Sequence, residues 1–192
     1  MVHGRVIGAI SVAFCLAAQS APILAQAVNW SDLEGVVVDA DIHRDQRTGR
    51  LGLSASVTVQ QAWKILIAAD KSLEFTVTTT ARGPGAPGKP LSNSGKVTLD
   101  EKREVPTYGG GMTVWEFVDG TLTFFRTFRS GAYRAHFAFV RSPSGLACNA
   151  SEAFARENGT GDIRMQPDSG SEITIISSKL LASSCKVTER QR

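Results

Sequence analysis

The chain has 192 residues, of which 42% are hydrophobic and 20% are charged, and its formal net charge is +3. These fractions are ordinary for a folded protein, and the length is sufficient for one domain with a substantial core. A net charge this small gives no strong case for a nucleic-acid partner or for an anionic membrane surface.

The first 27 residues have the pattern of a secretory signal peptide. Arg5 supplies a positive start, Val6 to Leu16 form an apolar run, and Ala25-Gln26-Ala27 matches a cleavage signal. The run is too short for a convincing membrane span, and an uncleaved N-terminal anchor is the alternative. No second apolar segment follows, so we predict a periplasmic or secreted protein with no membrane span in its mature chain.

Residues 28–192 are predicted to form a single β domain. Ser31 and Glu34 have the spacing of a capping box, which favours one helical turn that places Trp30 against the core. Apolar and polar residues alternate over 36–42, as in a half-buried strand, and a polar turn is predicted over 45–49. Further strand-like runs follow over 51–60, 62–69 and 73–81.

A Pro/Gly-rich loop is predicted over residues 82–95, within one domain. Residues 83–89 match the spacing of a phosphate-binding loop. However, Pro84 and Pro87 lack the N–H groups that would cradle a phosphate, and Pro90 stands where a hydroxyl belongs. We therefore predict no phosphate site here.

Three hairpin turns are predicted next, at Asp119-Gly120, at Ser130-Gly131 and over 142–145, because glycine supplies the backbone conformation of tight turns. Two-residue loops also determine which residues face each other across the strands. One face of the resulting sheet carries Trp115, Phe117, Leu122, Phe124, Phe128, Tyr133, Phe137 and Phe139. The predicted fold is all-β, an antiparallel meander of about 8–10 short strands that closes into a barrel or a two-sheet sandwich.

Cys148 and Cys185 are the two cysteines that remain once the leader is removed. In an oxidising compartment an isolated pair most often forms one disulfide, which we predict here. Two buried free thiols are the alternative.

The sequence offers little support for a catalytic or metal-binding site. Asp39, Asp41 and His43 share one face of a strand, but they span about 13 Å, too far for one metal ion. His136 is the only other histidine of the mature chain, and no nucleophile or metalloprotease motif is present. We predict no catalytic residue, metal or other cofactor. The predicted register sends Arg129 and Arg134 outward and the aromatic side chains inward, so the meander offers no exposed stacking platform for nucleic acid.

Arg126 is the one charged residue on the predicted aromatic face. The predicted register places Ala135 between Arg126 and Glu152, so we expect these two residues to form a buried ion pair. Together with Tyr133 and Phe137 they are the candidate ligand-binding residues. The pair either holds the strand register or anchors the polar head group of a ligand.

The leader is followed by five segments that carry a resemblance: Trp30–Leu33, Asp119–Phe124, Ser130–Arg134, Phe154–Glu157 and Ser183–Cys185. With them the layout resembles small exported β-rich proteins of Gram-negative bacteria. The resemblance implies a periplasmic address and no catalytic residues. The tryptophan before the first strand, followed by a meander, is also loosely similar to lipocalin-like barrels.

These features favour an exported binding protein of unknown ligand. The ligand is either a small or lipid-like molecule inside a barrel or an envelope component on the outside. The alternative is a structural or protein-interaction module with a filled core, and an enzyme acting through carboxylates alone comes third.

We predict that the leader is cleaved after Ala27, because the small residues of Ala25-Gln26-Ala27 fit a signal-peptide cleavage site. The intact mass of the exported protein should correspond to a chain that starts at Val28. A mass that retains residues 1–27 would overturn the predicted address as well.

Overall fold

A computed structural model of the protein describes residues 27–50, 53–86, 88–104, 111–128, 131–156, 163–165 and 173–189. The predicted leader, apart from Ala27, lies outside them. No helix in these ranges has the length and apolar character needed to cross a membrane.

The described residues form a 3-10 turn and strands. The turn is Trp30–Leu33, and the strands are β1 Val36–Arg50, β2 Leu53–Ile67, β3 Ser72–Arg82, β4 Leu91–Thr98, β5 Arg103–Glu104, β6 Met112–Val118, β7 Thr121–Phe128, β8 Gly131–Ser142, β9 Gly145–Arg156, β10 Ile163–Met165 and β11 Ile173–Glu189. They build two antiparallel sheets, one in the order β10-β11-β1-β2-β3-β4 and one in the order β5-β6-β7-β8-β9. The all-β prediction is confirmed, and a two-sheet sandwich fits this arrangement.

Several strands are longer than predicted. β1 and β2 have 15 residues each. The polar turn predicted over 45–49 is wrong, because β1 continues through it and pairs with β2 on one side and with β11 on the other. The loop predicted over 82–95 is also shorter than expected, since β3 runs to Arg82 and β4 begins at Leu91.

The 3-10 turn closes one end of the space between the sheets. Trp30 is half-buried as predicted; its indole Nε1 donates a hydrogen bond to the Ala68 carbonyl at 3.1 Å, and its ring lies 5.5 Å from that of Phe117. The predicted capping pair, Ser31 and Glu34, is wrong, because the observed pair, Asn29 and Asp32, lies two residues earlier in the chain. The turn begins two residues earlier than predicted, so the Asn29 N–H donates to Asp32 Oδ2 at 2.8 Å.

The registers of the meander differ from prediction at one hairpin. The pairs Trp115–Phe124 and Phe117–Leu122 are confirmed. Between β7 and β8, however, Phe124 pairs with Ala135 instead of Phe137. The slip is two residues long, because β8 begins at Gly131 and pairs that residue with Phe128. A slip of two leaves every side chain on its predicted face, so the aromatic face survives.

Aromatic side chains fill the middle of the space between the two sheets. The ring of Trp63 on β2 lies 5.9, 5.3 and 5.6 Å from the rings of Trp115, Phe124 and Phe137 on the other sheet. Such separations are those of favourable edge and tilted aromatic pairs. Leu33, Ile65, Ile67 and Leu73, all fully buried, extend the core from the six-stranded side.

The predicted disulfide is confirmed. Cys148 on β9 and Cys185 on β11 are bonded, with their Cα atoms 5.5 Å apart. β9 is an edge strand of one sheet and β11 belongs to the other. The bond therefore ties the two sheets together along one side.

Removing this bond should lower the free energy of unfolding. The cysteines are 37 residues apart, and a closed loop of this length contributes about 3–4 kcal/mol in the chain-entropy model. We expect a reductant to lower the urea midpoint of the wild-type protein and to leave that of the double variant Cys148→Ala, Cys185→Ala unchanged. Thiol alkylation of the denatured, non-reduced mature protein that labels both cysteines would contradict the bond.

Candidate functional site

One end of the space between the sheets is polar. The inward-facing residues of β1 are apolar from Val36 to Ile42 and become polar at Arg44 and Gln46, which are both buried. β2 contributes Gln61, which pairs with Ile42, and is apolar again at the buried Val59 and Val57. We name Arg44, Gln46, Gln61, Tyr133 and Glu152 the polar cluster; its members come from both sheets.

A buried ion pair lies at the centre of the polar cluster. Arg44 Nη1 donates to Glu152 Oε2 at 2.7 Å, and the two side chains are only 7% and 3% exposed. This distance is that of a strong charge-assisted hydrogen bond between ionised groups. The contact joins β1 of one sheet to β9 of the other.

Two glutamines hold the guanidinium group in place. Arg44 Nε donates to Gln46 Oε1 at 3.1 Å, and Arg44 Nη1 donates to Gln61 Oε1 at 3.2 Å. Gln61 Oε1 also accepts a 2.6 Å hydrogen bond from the Tyr133 hydroxyl, and Gln61 Nε2 donates to Thr79 at 3.5 Å. Gln61 thus uses its oxygen for two protein donors.

Aromatic rings flank the same guanidinium group. The Arg44 Cζ atom lies 5.3 Å from the ring centre of Phe154 and 5.6 Å from that of Tyr133. These two rings are themselves 4.9 Å apart. Cation–π contacts of this length stabilise a desolvated arginine, so Arg44 is held by polar and aromatic neighbours together.

Burial controls the protonation of the cluster. Burial raises the pKa of the Glu152 carboxyl above its usual range, and the charge of Arg44 offsets part of that effect. Burial also raises the pKa of Tyr133 far above its ordinary value. Tyr133 therefore stays protonated at neutral pH and acts as a donor.

The second carboxylate oxygen of Glu152 differs from the first. Oε1 is buried, and it accepts no hydrogen bond from any residue that the structure describes. A buried acceptor without a donor is costly, and native proteins rarely retain one. Among the described residues of the polar cluster, Glu152 Oε1 is thus the buried acceptor that still lacks a donor.

The four predicted ligand-binding residues lie in three places. Tyr133 and Glu152 meet in the polar cluster. Phe137 is fully buried in the aromatic core, against Trp63. Arg126 is half-buried, with its Cζ atom 5.2 Å from the ring centre of Phe128.

The predicted ion pair between Arg126 and Glu152 is corrected. Its premise was the pair Arg126–Ala135, but the two-residue slip places Arg126 opposite Tyr133. The predicted pairs of β8 with β9, including Ala135–Glu152, are confirmed. Glu152 therefore occupies its expected row, and its ion-pair partner is Arg44.

Arg44 and Gln46 escape the sequence prediction because the first strand is predicted to end at Ile42, before a polar turn over 45–49. The apolar–polar alternation of β1 ends at Ile42, because residues 43–46 are all polar, so no periodic signal marks Arg44 or Gln46 as inward-facing. Gln61 falls between the predicted strand-like runs 51–60 and 62–69, which the structure joins into β2.

Other candidate groups lie away from the polar cluster. Asp41, on the opposite face of β1, accepts a hydrogen bond from Gln60 at 3.1 Å. His136, on the opposite face of β8, lies 3.0 Å from the Thr123 hydroxyl, and burial and then Arg134 lower its pKa. Within the described ranges, no group of three His, Cys, Asp or Glu side chains is placed to hold a metal ion.

No family model, curated protein or solved structure matches this chain. The functional argument therefore rests on the geometry of its own residues.

Breaking the ion pair from one side should be strongly destabilising. Arg44→Ala leaves Glu152 buried without its cation, which costs about 3–5 kcal/mol of unfolding free energy. Arg44→Ala combined with Glu152→Ala should recover part of that loss, as urea unfolding of the single and double variants will show.

A matched control is the surface pair Arg103–Glu101, whose atoms are 3.0 Å apart and whose side chains are 44% and 46% exposed. Arg103→Ala should leave the stability nearly unchanged, because solvent screens exposed pairs. Mild, additive losses for Arg44→Ala and Glu152→Ala would contradict the buried pair.

Proposed function

We propose that this chain is an exported binding protein that takes a small amphipathic molecule at the polar cluster. The observation that carries the proposal is the ion pair Arg44–Glu152, placed between the sheets with side chains 7% and 3% exposed. Ion pairs in such positions commonly stabilise a fold no better than apolar residues of the same volume. Their presence together with a shifted carboxyl pKa is a feature of binding and catalytic sites.

The surroundings of the cluster fit a molecule with one polar and one apolar part. Phe128, Phe154 and Arg126 are half-buried on the inner face of the same end, whereas Phe137 and Leu122 further along are fully buried. Ligand sites are typically apolar with a few convergent polar groups, and the polar cluster beside Phe154 has this composition.

Export of the protein is part of the proposal. The leader pattern over 1–27 and the bond between Cys148 and Cys185 both suit an oxidising compartment, either the periplasm or the outside of the cell. The resemblance to small exported β-rich proteins of Gram-negative bacteria supports the periplasm.

A second candidate is a structural or protein-interaction module with a filled core. The observation that favours it is the aromatic packing, in which Trp63 contacts three rings of the opposite sheet at 5.3–5.9 Å. In that case the polar cluster serves only to align the sheets, and binding takes place on the outer surface.

Native mass spectrometry of protein purified from its own host distinguishes the two candidates. We expect the wild-type protein to carry a small molecule. The double variant Arg44→Met, Glu152→Leu keeps the volume of the pair without its charges, so it should fold and lose the added mass. Asp41→Asn, on the outer face of β1, is the control that should retain it. A clean apo mass of the wild-type protein under gentle conditions would favour the filled-core module.

A further inference from the structure

The hydrogen bonds within the polar cluster indicate which chemical group its ligand would present. The described residues use the cluster's neutral acceptors: Gln46 Oε1 accepts from Arg44, and Gln61 Oε1 accepts from Arg44 and Tyr133. Glu152 Oε2 is used by Arg44 as well. Glu152 Oε1 is the buried acceptor to which no described residue donates. The complementary group is therefore a hydrogen-bond donor.

The charges of Arg44 and Glu152 also limit which kind of donor can bind there. Glu152 and Arg44 already neutralise each other at 2.7 Å in a water-poor position. A cationic head group at Oε1 would place a second positive charge beside Arg44, and an anionic one would face the carboxylate itself. Either charge would also lose its hydration without a full counter-charge, which is costly between packed sheets.

We infer that Glu152 Oε1 receives a neutral donor, a hydroxyl or amide N–H, from the polar end of the ligand. The apolar part of the ligand then lies toward the half-buried rings of Phe154 and Phe128. This inference rests on the proposed function, because it assigns the head group of that ligand. A carboxylate acceptor strengthens the hydrogen bond relative to a neutral one, so Glu152 would select between head groups as well as bind one.

Three probes of equal chain length test the head group: 1-octanol, octylammonium and octanoate. Each is titrated into isotopically labelled wild-type protein while the NMR signals of Tyr133, Glu152 and Phe154 are followed. We expect octanol to shift these signals saturably, with a dissociation constant about tenfold or more below those of the two charged probes, as one hydrogen bond to a charged group implies.

Glu152→Gln should weaken octanol binding about tenfold, since a neutral amide oxygen replaces the carboxylate. Glu116→Gln, at an exposed glutamate on the outer face of β6, is the matched control and should leave it unchanged. The comparison of probes on the wild-type protein needs no variant, so a failure of Glu152→Gln to fold would not affect it.

Tighter binding of octanoate or octylammonium at the same residues would overturn the neutral-donor assignment and leave the proposed function standing. If the NMR shifts saturate with none of the probes, the hydrogen bond to Glu152 Oε1 comes from water, and the neutral-donor assignment is again overturned. Native mass spectrometry of the host-purified protein then decides separately whether the proposed function fails with it.

Discussion

Contact between the aromatic side chains of the two sheets is the interaction on which the rest of the structure depends. Trp63 is the only tryptophan of the six-stranded sheet, and its ring meets Trp115, Phe124 and Phe137 of the five-stranded sheet. Large rings bury much apolar area and favour specific edge-on geometries. This packing sets both the spacing and the alignment of the sheets, and it brings Arg44 within reach of Glu152.

β9 is held to the six-stranded sheet by two contacts of different kinds. Cys148 bonds covalently to β11, and Glu152, four residues further along the same face of β9, pairs with Arg44 on β1. The covalent bond restricts the unfolded chain, whereas the ion pair depends on native packing and on the protonation of Glu152. Because the pKa of Glu152 is raised in the folded state, the stabilisation that this carboxyl contributes decreases as the pH rises from its unfolded-state pKa to its folded-state pKa.

Local patterns in the sequence were sufficient to predict the strands of the meander, but they could not predict the contacts between the two sheets. Alternation and turn residues identified the face that carries Phe124 and Phe137, and an error of two residues in register preserved that face. The register between β8 and β9 was predicted correctly, which placed Glu152 in its row, although Ser142 and Gly145 of the predicted loop belong to the strands. Arg44 lies 108 residues from Glu152 in the chain, and no local pattern specifies how two strands from different sheets align. The composition of residues 44–49 also resembles a turn, and only pairing with both β2 and β11 makes this segment a strand.

The positions of the tryptophans have a spectroscopic consequence. Trp63 and Trp115 belong to opposite sheets, are 3% and 2% exposed, and meet edge to face. Indole emission shifts to longer wavelength when the ring enters water, so separation of the sheets would change the fluorescence of both residues at once. Trp30 is half-buried at the 3-10 turn and reports on the end of the domain. The chain thus contains its own optical probe of whether its two sheets remain packed together.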